Sequence, residues 1–298
     1  MHGHAYANGA GTIVNAIAIW KGAAFCIDLK TTADVELHEC AGGGGRITGR
    51  IENTDTCDTC SAGDGATYDT ALIERCVSLV LDRFGYVCDG AVTTRSEIPI
   101  ARGLKSSSAA ANAVILATLD AIRETLPPTD AVRMGVRAAL DVGVSITGAF
   151  DDACASMLGG VVITDNRNQE LVSHITYDSD VLIYLPGEVA FTADTNVARS
   201  KAVAPLVEVA YQLALAHDFE NAMTLNGLLY CAALGFDPEV AMRALELGIT
   251  GVSLSGTGSA YTALVRRDQI KELREAWYAL GGDVMQTRIV NKSRVEQK

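Results

Sequence analysis

Hydrophobic residues in the first hundred positions fall into short runs separated by turn-forming residues, a pattern typical of β-strands. The Lys21-Gly22 dipeptide and the glycines at 42–45 are read as turns between these runs. Apolar side chains at helical spacing instead predict one helix over residues 67–84. Strands are expected at residues 12–20, 22–29, 33–39, 46–52 and 90–98.

Helical patterns dominate the rest of the chain, with single strands between them. We expect helices at 106–124, from about residue 130, and at 197–217, 219–233, 238–247 and 268–280, and strands at 161–165, 181–185, 260–266 and 283–290. This order lacks the regular βαβ alternation of a doubly wound sheet and therefore predicts an α+β fold. We divide the chain into an N-terminal domain of residues 1–165 and a C-terminal domain of residues 166–298, without a low-complexity linker between them.

Composition narrows the class of protein. The chain has 298 residues, of which 49% are hydrophobic and 20% charged, as in ordinary globular proteins. A net charge of −12 argues against a general nucleic-acid binder, which would carry a basic face. No apolar run reaches the roughly 18 residues of a membrane span, and the N-terminus lacks the basic region of a signal peptide. We therefore expect a cytoplasmic protein with no membrane partner, and the oligomeric state stays open.

The eight cysteines are scattered, and only Cys57 and Cys60 have close spacing. A zinc site would normally need a second pair at a matching distance, which Cys76 and Cys88 do not provide. Free thiols are therefore favoured over a redox or metal site, and no role is assigned to Cys57 and Cys60.

A candidate anion site lies in residues 98–113, "IPIARGLKSSSAAANA". Ser106, Ser107 and Ser108 lie where a loop becomes a helix, so their backbone N–H groups lack helical acceptors and face the positive end of the helix dipole. Phosphate is the usual ligand of such a site, Lys105 adds a full positive charge, and Gly103 permits close backbone approach. The alternative is a helix capped by serine without a ligand, but a cap needs only one serine.

The commonest phosphate-binding loops are absent. A Walker A loop requires Gly-x-x-x-x-Gly-Lys-Ser/Thr, and the nearest candidate, Gly44 to Gly49, continues with Arg50-Ile51. No Gly-x-Gly-x-x-Gly fingerprint and no Gly-x-Ser-x-Gly elbow occurs.

Three segments resemble the motifs of the GHMP kinases, the small-molecule kinases named for galactokinase, homoserine kinase, mevalonate kinase and phosphomevalonate kinase. The segment Pro99-Ile-Ala-Arg-Gly103-Leu104-Lys105-Ser106-Ser107-Ser108-Ala109 resembles their second motif, and Ser253-Leu-Ser255-Gly256-Thr257-Gly258-Ser259-Ala260 their third, glycine-rich motif. Ala10-Gly11-Thr12-Ile13-Val14-Asn15 resembles the first motif in its homoserine-kinase form. The resemblance implies a GHMP kinase fold that binds ATP through the second and third motifs.

Residues 9–31, 103–113 and 148–160 together resemble the archaeal shikimate kinase branch of that family, and Lys105, where relatives usually have glycine, fits this branch. The resemblance implies transfer of the γ-phosphoryl group of ATP to the 3-hydroxyl of shikimate, with magnesium, in aromatic amino acid biosynthesis. Two alternatives remain open: a kinase for another small alcohol such as homoserine, and a nucleotide-binding regulator without catalysis.

Asp151 and Asp152 precede a helix-like segment within residues 147–160. From the residues alone, an N-cap pair is the favoured interpretation. The resemblance implies that one of them corresponds to the catalytic aspartate of mevalonate kinase and galactokinase, and spacing to the following glycines selects Asp152. Adjacent residues point to different sides, so only one is expected to face the substrate.

The resemblance also implies a magnesium-binding carboxylate eleven positions earlier, at Asp141. Magnesium prefers oxygen ligands, so the hydroxyl of Ser107 or Ser108 is the candidate second ligand. The alternative for Asp141 is a surface carboxylate at a helix end. Many relatives have a lysine in the first motif, whereas this chain has none before Lys21. Asp152 therefore lacks that partner unless Lys105 supplies it.

The acceptor side is assigned less directly. Arg199 falls roughly where homoserine kinase has a substrate arginine, and a guanidinium suits a bidentate clamp on the shikimate carboxylate. Asn15 is a candidate partner for a substrate hydroxyl, while Arg102 and Arg288 are weaker candidates for the carboxylate. Each of these residues is otherwise a surface charge or a local cap. Residues 53–68 are expected to form a loop near the nucleotide, and the adenine pocket stays unassigned.

Overall fold

The computed structural model describes residues 1–40, 45–53, 69–187 and 197–291, which form two β-sheets with helices packed on them. The strands of the first sheet are β1 (His2–Val14), β2 (Lys21–Glu39), β3 (Ile47–Asn53), β4 (Cys88–Ser96), β5 (Val161–Asp165) and β6 (Glu170–Ile175). Strand β2 pairs antiparallel with β1, β4 and β5, β6 pairs antiparallel with β5, and β3 runs parallel to β4. The predicted α+β class is confirmed.

Strand β2 shows why the apolar pattern changes along its length. The N-terminal half of β2 is buried on both faces. Phe25 packs in the core shared with the second sheet, whereas Ala24 packs on the other face, beneath helices that lie within residues 71–158. From Thr31 onward every second residue is buried, as expected where one face is covered and the other is not. The two strands expected at 22–29 and 33–39 are therefore a single strand.

Four helices accompany the first sheet: α1 (Ala71–Phe84), α2 (Ser106–Ile122), α3 (Pro128–Asp141) and α4 (Phe150–Leu158). Helices α1, α2 and α4 pack on its strands, whereas α3 packs on these three helices. Helix α2 lies against β1 and β2 and is buried along most of its length. Its small side chains allow this, because an added Cβ at Gly3 of β1 would lie only 2.0 Å from the carbonyl oxygen of Ala117. The small side chains thus bring the C-terminal part of α2 close to the sheet.

The second sheet has the order β10-β7-β9-β8, with antiparallel neighbours throughout. Its strands are β7 (Asp180–Leu185), β8 (Val252–Leu254), β9 (Tyr261–Val265) and β10 (Asp283–Arg288). The accompanying helices are α5 (Val197–Ala202), α6 (Ala204–Leu215), α7 (Phe219–Leu234), α8 (Glu239–Glu246) and α9 (Ile270–Tyr278). Helix α7 packs against both β8 and β1, so it contacts the two halves of the molecule.

The two halves share a core and are joined by backbone hydrogen bonds. The segment after β10 reaches back to β2, where the N–H of Val290 donates to the carbonyl of Cys26 at 3.3 Å. The N–H of Gly160 donates in turn to the carbonyl of Val290 at 2.7 Å. Strand β6 extends the first sheet to Ile175. The division of the chain at residues 165 and 166 stays a prediction.

Some boundaries differ from the expected ones. The strand expected at 12–20 ends at Val14, because residues 15–20 turn away from the sheet. The single helix expected at 197–217 is two helices, interrupted at Val203 just before Pro205, a residue that favours a helix start. Strands β6 and β8 were not expected. The glycines at 42–44 and both Cys57 and Cys60 lie outside the described residues, within which no helix is long and apolar enough to cross a membrane.

Candidate active site

The N-terminus of α2 presents unused hydrogen-bond donors. The first helical hydrogen bond runs from the N–H of Ala109 to the carbonyl of Lys105 at 3.0 Å. The N–H groups and hydroxyls of Ser106, Ser107 and Ser108 have no partner within the described part of the chain, and Ser107 is exposed. The helix end therefore offers three N–H donors and three hydroxyls to an anion.

The second and third motifs are in direct backbone contact. Gly103 adopts a φ of +83°, and an added Cβ there would lie 1.9 Å from the carbonyl oxygen of Ser255. An added Cβ at Gly258 would lie 2.2 Å from the nitrogen of Gly103. The Ser255 hydroxyl donates to the carbonyl of Gly103 at 2.8 Å. These glycines are required because the two chain segments touch where any side chain would stand.

The first motif forms hydrogen bonds with both the second and the third motif. The N–H of Gly256 donates to the hydroxyl of Thr12 at 2.9 Å, and the side-chain amide of Asn15 donates to the carbonyl of Gly256 at 3.0 Å. The N–H of Ala10 donates to the carbonyl of Leu104 at 3.2 Å. Three segments more than 200 residues apart in sequence at their extremes thus meet at the start of α2. Of the remaining motif residues, Pro99, Leu104 and Ala109 are buried and Thr257 is half-buried.

Lys105 and Asp152 form a buried ion pair beside this helix end. The ammonium nitrogen of Lys105 lies 3.1 Å from Oδ1 of Asp152, and only 10% and 12% of the two side chains are exposed. The same ammonium packs over Gly256, where an added Cβ would lie 2.6 Å from it. Lys105 has a φ of +65°, a left-handed conformation that favours glycine.

The pKa of Asp152 is raised from its usual range to about 7, chiefly by burial and to a smaller extent by the neighbouring Asp151 carboxylate. The Lys105 ammonium opposes both effects by favouring the charged carboxylate. A carboxylate of this kind can accept a proton near neutral pH, which an ordinary exposed aspartate does poorly.

Asp151 has different partners from Asp152. Both lie in the first turn of α4, but neither caps the helix, whose N-cap is Ala149. Asp151 is buried and accepts a hydrogen bond of 2.7 Å from the side-chain amide of Asn166, which in turn accepts one from the Thr164 hydroxyl at 2.7 Å. Asp151 also packs against Gly22, where an added Cβ would lie 2.3 Å from its Oδ2. The N-cap interpretation from the residues alone is therefore replaced by a buried hydrogen-bonded chain.

Asp141 lies at the end of α3, where it is paired with an arginine. The Arg75 guanidinium, from α1, approaches Oδ2 of Asp141 at 2.7 and 2.8 Å. About a third of the Asp141 side chain is exposed. As placed, its charge is neutralised by Arg75, and no contact with Ser107 is formed.

The candidate acceptor residues are placed differently from one another. Asn15 is buried. Its side-chain oxygen accepts from the N–H of Ile17 and its side-chain nitrogen donates to Gly256, so both ends of the amide form hydrogen bonds within the protein. Arg199 is exposed on α5 and donates to the carbonyl of Ala232 at 2.7 Å. Arg102 is buried, with its guanidinium against the carbonyl of Pro186 and the Ser259 hydroxyl. Arg288, on β10, pairs with Asp28.

The structure adds residues that the motifs did not reveal. Asn166 orients Asp151, and Gly22 leaves room for it. Asn226 and Tyr230 of α7 form hydrogen bonds with the backbone of the loop of residues 15–20, which follows the first motif. Asn166, Asn226 and Tyr230 lie outside the quoted motifs, and an asparagine after a strand or on an apolar helix has no distinctive sequence pattern. Gly22 lies within residues 9–31, but it was interpreted only as a turn residue.

The described residues contain no group of three or more His, Cys, Asp or Glu side chains placed to hold a metal ion. Magnesium in phosphate-transfer sites is commonly held by one or two carboxylates together with substrate phosphates and water. The unpartnered Ser107 hydroxyl fits such a role, whereas Asp141 fits it only if its pair with Arg75 opens. The donors at the start of α2, by contrast, fit a polyphosphate as they stand.

Comparisons with known proteins agree with this geometry. The sequence profile of the "GHMP kinases N terminal domain" matches residues 71–160. The chain is 59% identical to the shikimate kinase of Methanosarcina mazei, over 99% of this chain and 97% of that protein.

Two solved structures have a similar fold. The mevalonate kinase of Methanococcus jannaschii superposes with a TM-score of 0.74, at 15% identity, over 98% of this chain and 99% of that one. A homoserine kinase of Cytophaga hutchinsonii superposes with a TM-score of 0.73, at 16% identity, over 98% of this chain and 95% of that one. At such low identity the likeness concerns the fold alone.

Proposed function

Since the chain belongs to the GHMP kinase family, and within it to the group of archaeal proteins named shikimate kinase, we propose that it phosphorylates the 3-hydroxyl of shikimate with ATP. The product is shikimate 3-phosphate, an intermediate in aromatic amino acid biosynthesis. The observation that carries the proposal is the buried Lys105–Asp152 pair beside the free N–H groups of α2. A carboxylate next to an anion-binding helix start supports phosphoryl transfer to a hydroxyl, because it can orient that hydroxyl and accept its proton.

The phosphates of ATP are bound by the start of α2 and by the glycine-rich third motif. The N–H groups of Ser106, Ser107 and Ser108 face the ligand, and the helix dipole favours its negative charge. Gly256 and Gly258 allow the third motif to pack against Lys105 and Gly103, so the third motif lies directly beside the start of α2. The Lys105 ammonium neutralises part of the charge that develops on the transferred group.

Asp152 orients the acceptor hydroxyl and accepts its proton while the new oxygen–phosphorus bond forms and the bond to the leaving ADP oxygen breaks. Its raised pKa suits this step near neutral pH. Lys105 keeps enough of Asp152 ionised to act as the base. Asp151 supports α4 through Asn166 and does not face the acceptor.

Magnesium supplies charge neutralisation of the phosphates when bound. The Ser107 hydroxyl is the proposed protein ligand, with Asp141 as the second. For Asp141 to serve, Arg75 has to release it and turn to solvent or to the phosphates.

We place the acceptor, shikimate, beside α5 and the loop of residues 15–20 that follows the first motif. Arg199 is the proposed clamp for the shikimate carboxylate, since its guanidinium is exposed and can bind a carboxylate with two parallel hydrogen bonds. Asn15 contributes to this side mainly by shaping the loop, because both ends of its amide are used by the protein. We place the enzyme in the cytoplasm, acting on small molecules rather than on nucleic acid.

A coupled assay for ADP release with shikimate and with homoserine, each at saturating magnesium-ATP, tests the proposal. We expect turnover with shikimate at least tenfold above that with homoserine. Preference for homoserine would assign another substrate to the same fold. Tight ATP binding without turnover on either alcohol would identify a nucleotide-binding regulator.

A further inference from the structure

Helix α7 binds the loop of residues 15–20, which follows the first motif, through two buried side chains. The Oδ1 of Asn226 accepts from the N–H of Asn15 at 2.9 Å. The Tyr230 hydroxyl accepts from the N–H of Ala18 at 3.2 Å and donates to the carbonyl of Asn15 at 3.3 Å. Both side chains are 0% exposed. The backbone groups of Asn15 and the N–H of Ala18 therefore form hydrogen bonds with α7 instead of with a neighbouring strand.

The same loop is tied to both sides of the phosphate-transfer site. Through the Asn15 side chain it contacts Gly256, which packs against the Lys105 ammonium. At its far end the carbonyl of Trp20 accepts from the N–H of Asn166 at 2.8 Å, and Asn166 holds Asp151. Movement of the loop would thus be transmitted toward Lys105 and toward Asp151, the neighbour of Asp152 in α4.

We propose that Asn226 and Tyr230 are positioning residues that fix the loop of residues 15–20 as one wall of the acceptor site. The inference rests on the proposed function, because it assumes that this loop faces the acceptor and not the nucleotide. Neither residue touches the reacting atoms. Their part is to hold the loop in one conformation so that binding of the acceptor does not have to order it.

The helix itself supports this assignment. The side-chain amide of Asn226 donates to the hydroxyl of Ser253, the first residue of the third motif, at 3.4 Å, and Gly227 packs against the backbone of Ser253. One face of α7 is thereby anchored to β8, which leads directly into the third motif. The loop is consequently positioned by an element that is itself rigidly attached to the phosphate-binding backbone.

The test compares Tyr230→Phe with Tyr184→Phe. Tyr184 is a matched control because it is also buried and donates to a backbone carbonyl, that of Leu280, at the same 3.3 Å, but it lies on β7 away from the loop. A single hydrogen bond contributes about 1 kcal/mol, or about fivefold in an equilibrium constant. We expect Tyr230→Phe to raise KM for shikimate about fivefold or more and to change KM for ATP less than twofold. Tyr184→Phe should change neither.

Amide hydrogen exchange provides a second measurement that needs no acceptor. The Ala18 amide should exchange faster in Tyr230→Phe than in the wild type, and at the wild-type rate in Tyr184→Phe. Equal rises in both KM values, or a Tyr230→Phe variant that matches Tyr184→Phe in kinetics, would overturn the proposal. Absence of wild-type turnover with shikimate refutes the proposed function instead, and the KM comparison is then made with the alcohol that supports turnover.

Discussion

Asp151 and Asp152 are adjacent in α4, yet their carboxylates have different partners. Asp152 lies 3.1 Å from the Lys105 ammonium beside the phosphate site, whereas Asp151 accepts a hydrogen bond of 2.7 Å from Asn166. Consecutive residues of a helix point about 100° apart, so one carboxylate faces the site and the other faces the sheet. The two carboxylates therefore have separate environments, which is the basis for assigning them different roles in the proposed function.

Asp152→Asn is expected to lower kcat by about 10²–10⁴-fold, the usual contribution of a general base. The amide cannot accept the proton of the hydroxyl, while ATP is still held by the start of α2. Turnover and ATP binding, measured separately, check this expectation.

Asp151→Asn is the matched variant. It places an amide against the Asn166 amide in a buried position, so we expect a lower melting temperature and nearly normal kcat per folded enzyme. An inactive, fully folded Asp151→Asn beside an active Asp152→Asn would reverse the two assignments.

The acid limb of the pH profile should report Asp152. Asp152 acts in its ionised form, so kcat/KM should fall as the pH drops through its pKa, which burial raises to about 7. Lys105→Ala removes the cation that favours the charged carboxylate, so the pKa rises and the limb should move to higher pH. The KM for ATP should also rise more than that for shikimate. A limb that stays in place in Lys105→Ala would separate Lys105 from the titrating group.

Ser107→Ala should weaken the use of magnesium-ATP. The exposed, unpartnered hydroxyl of Ser107 is the proposed magnesium ligand, and its loss should raise the magnesium concentration needed for half-maximal turnover. Titration of magnesium at fixed ATP measures the effect. Thr118→Ala is a control for loss of a hydroxyl in the same helix, since that hydroxyl bonds to the carbonyl of Val114 away from the site. Wild-type behaviour of Ser107→Ala at limiting magnesium would remove Ser107 as a ligand.

Gly258→Ala should impair ATP binding and stability together. The added Cβ would lie 2.2 Å from the nitrogen of Gly103, so the second and third motifs would have to separate. Gly135→Ala is the control: its Cβ would lie no closer than 3.4 Å to any neighbour in the described chain. Because this change replaces a glycine within helix α3 by alanine, it should raise the free energy of unfolding by up to about 1 kcal/mol. Thermal melts and nucleotide titrations of both variants decide whether the close contact is needed.

Several helices, the start of α2 and the three motifs of this protein could be predicted from local sequence. Periodicity predicted the helices now seen as α1, α2, α3 and α7, because a long amphipathic or small-residue helix carries its pattern within itself. The serine run after Lys105 predicted a helix start with free donors, since the lack of helical acceptors in a first turn follows from helix geometry alone. The three motifs could be recognised because each is a continuous segment.

Tertiary structure decided the rest. The loop of residues 15–20 looked like a continuation of β1, but α7 supplies the hydrogen bonds that draw it from the sheet, from Asn226 and Tyr230 more than 200 positions away. The choice of Lys105 as the partner of Asp152, of Asn166 as the partner of Asp151, and of Arg75 as the partner of Asp141 likewise depends on which elements pack together. The sequence gives the number and positions of the charged residues. Their burial and pairing arise only when distant segments pack together and exclude water, and this burial and pairing set the pKa of Asp152.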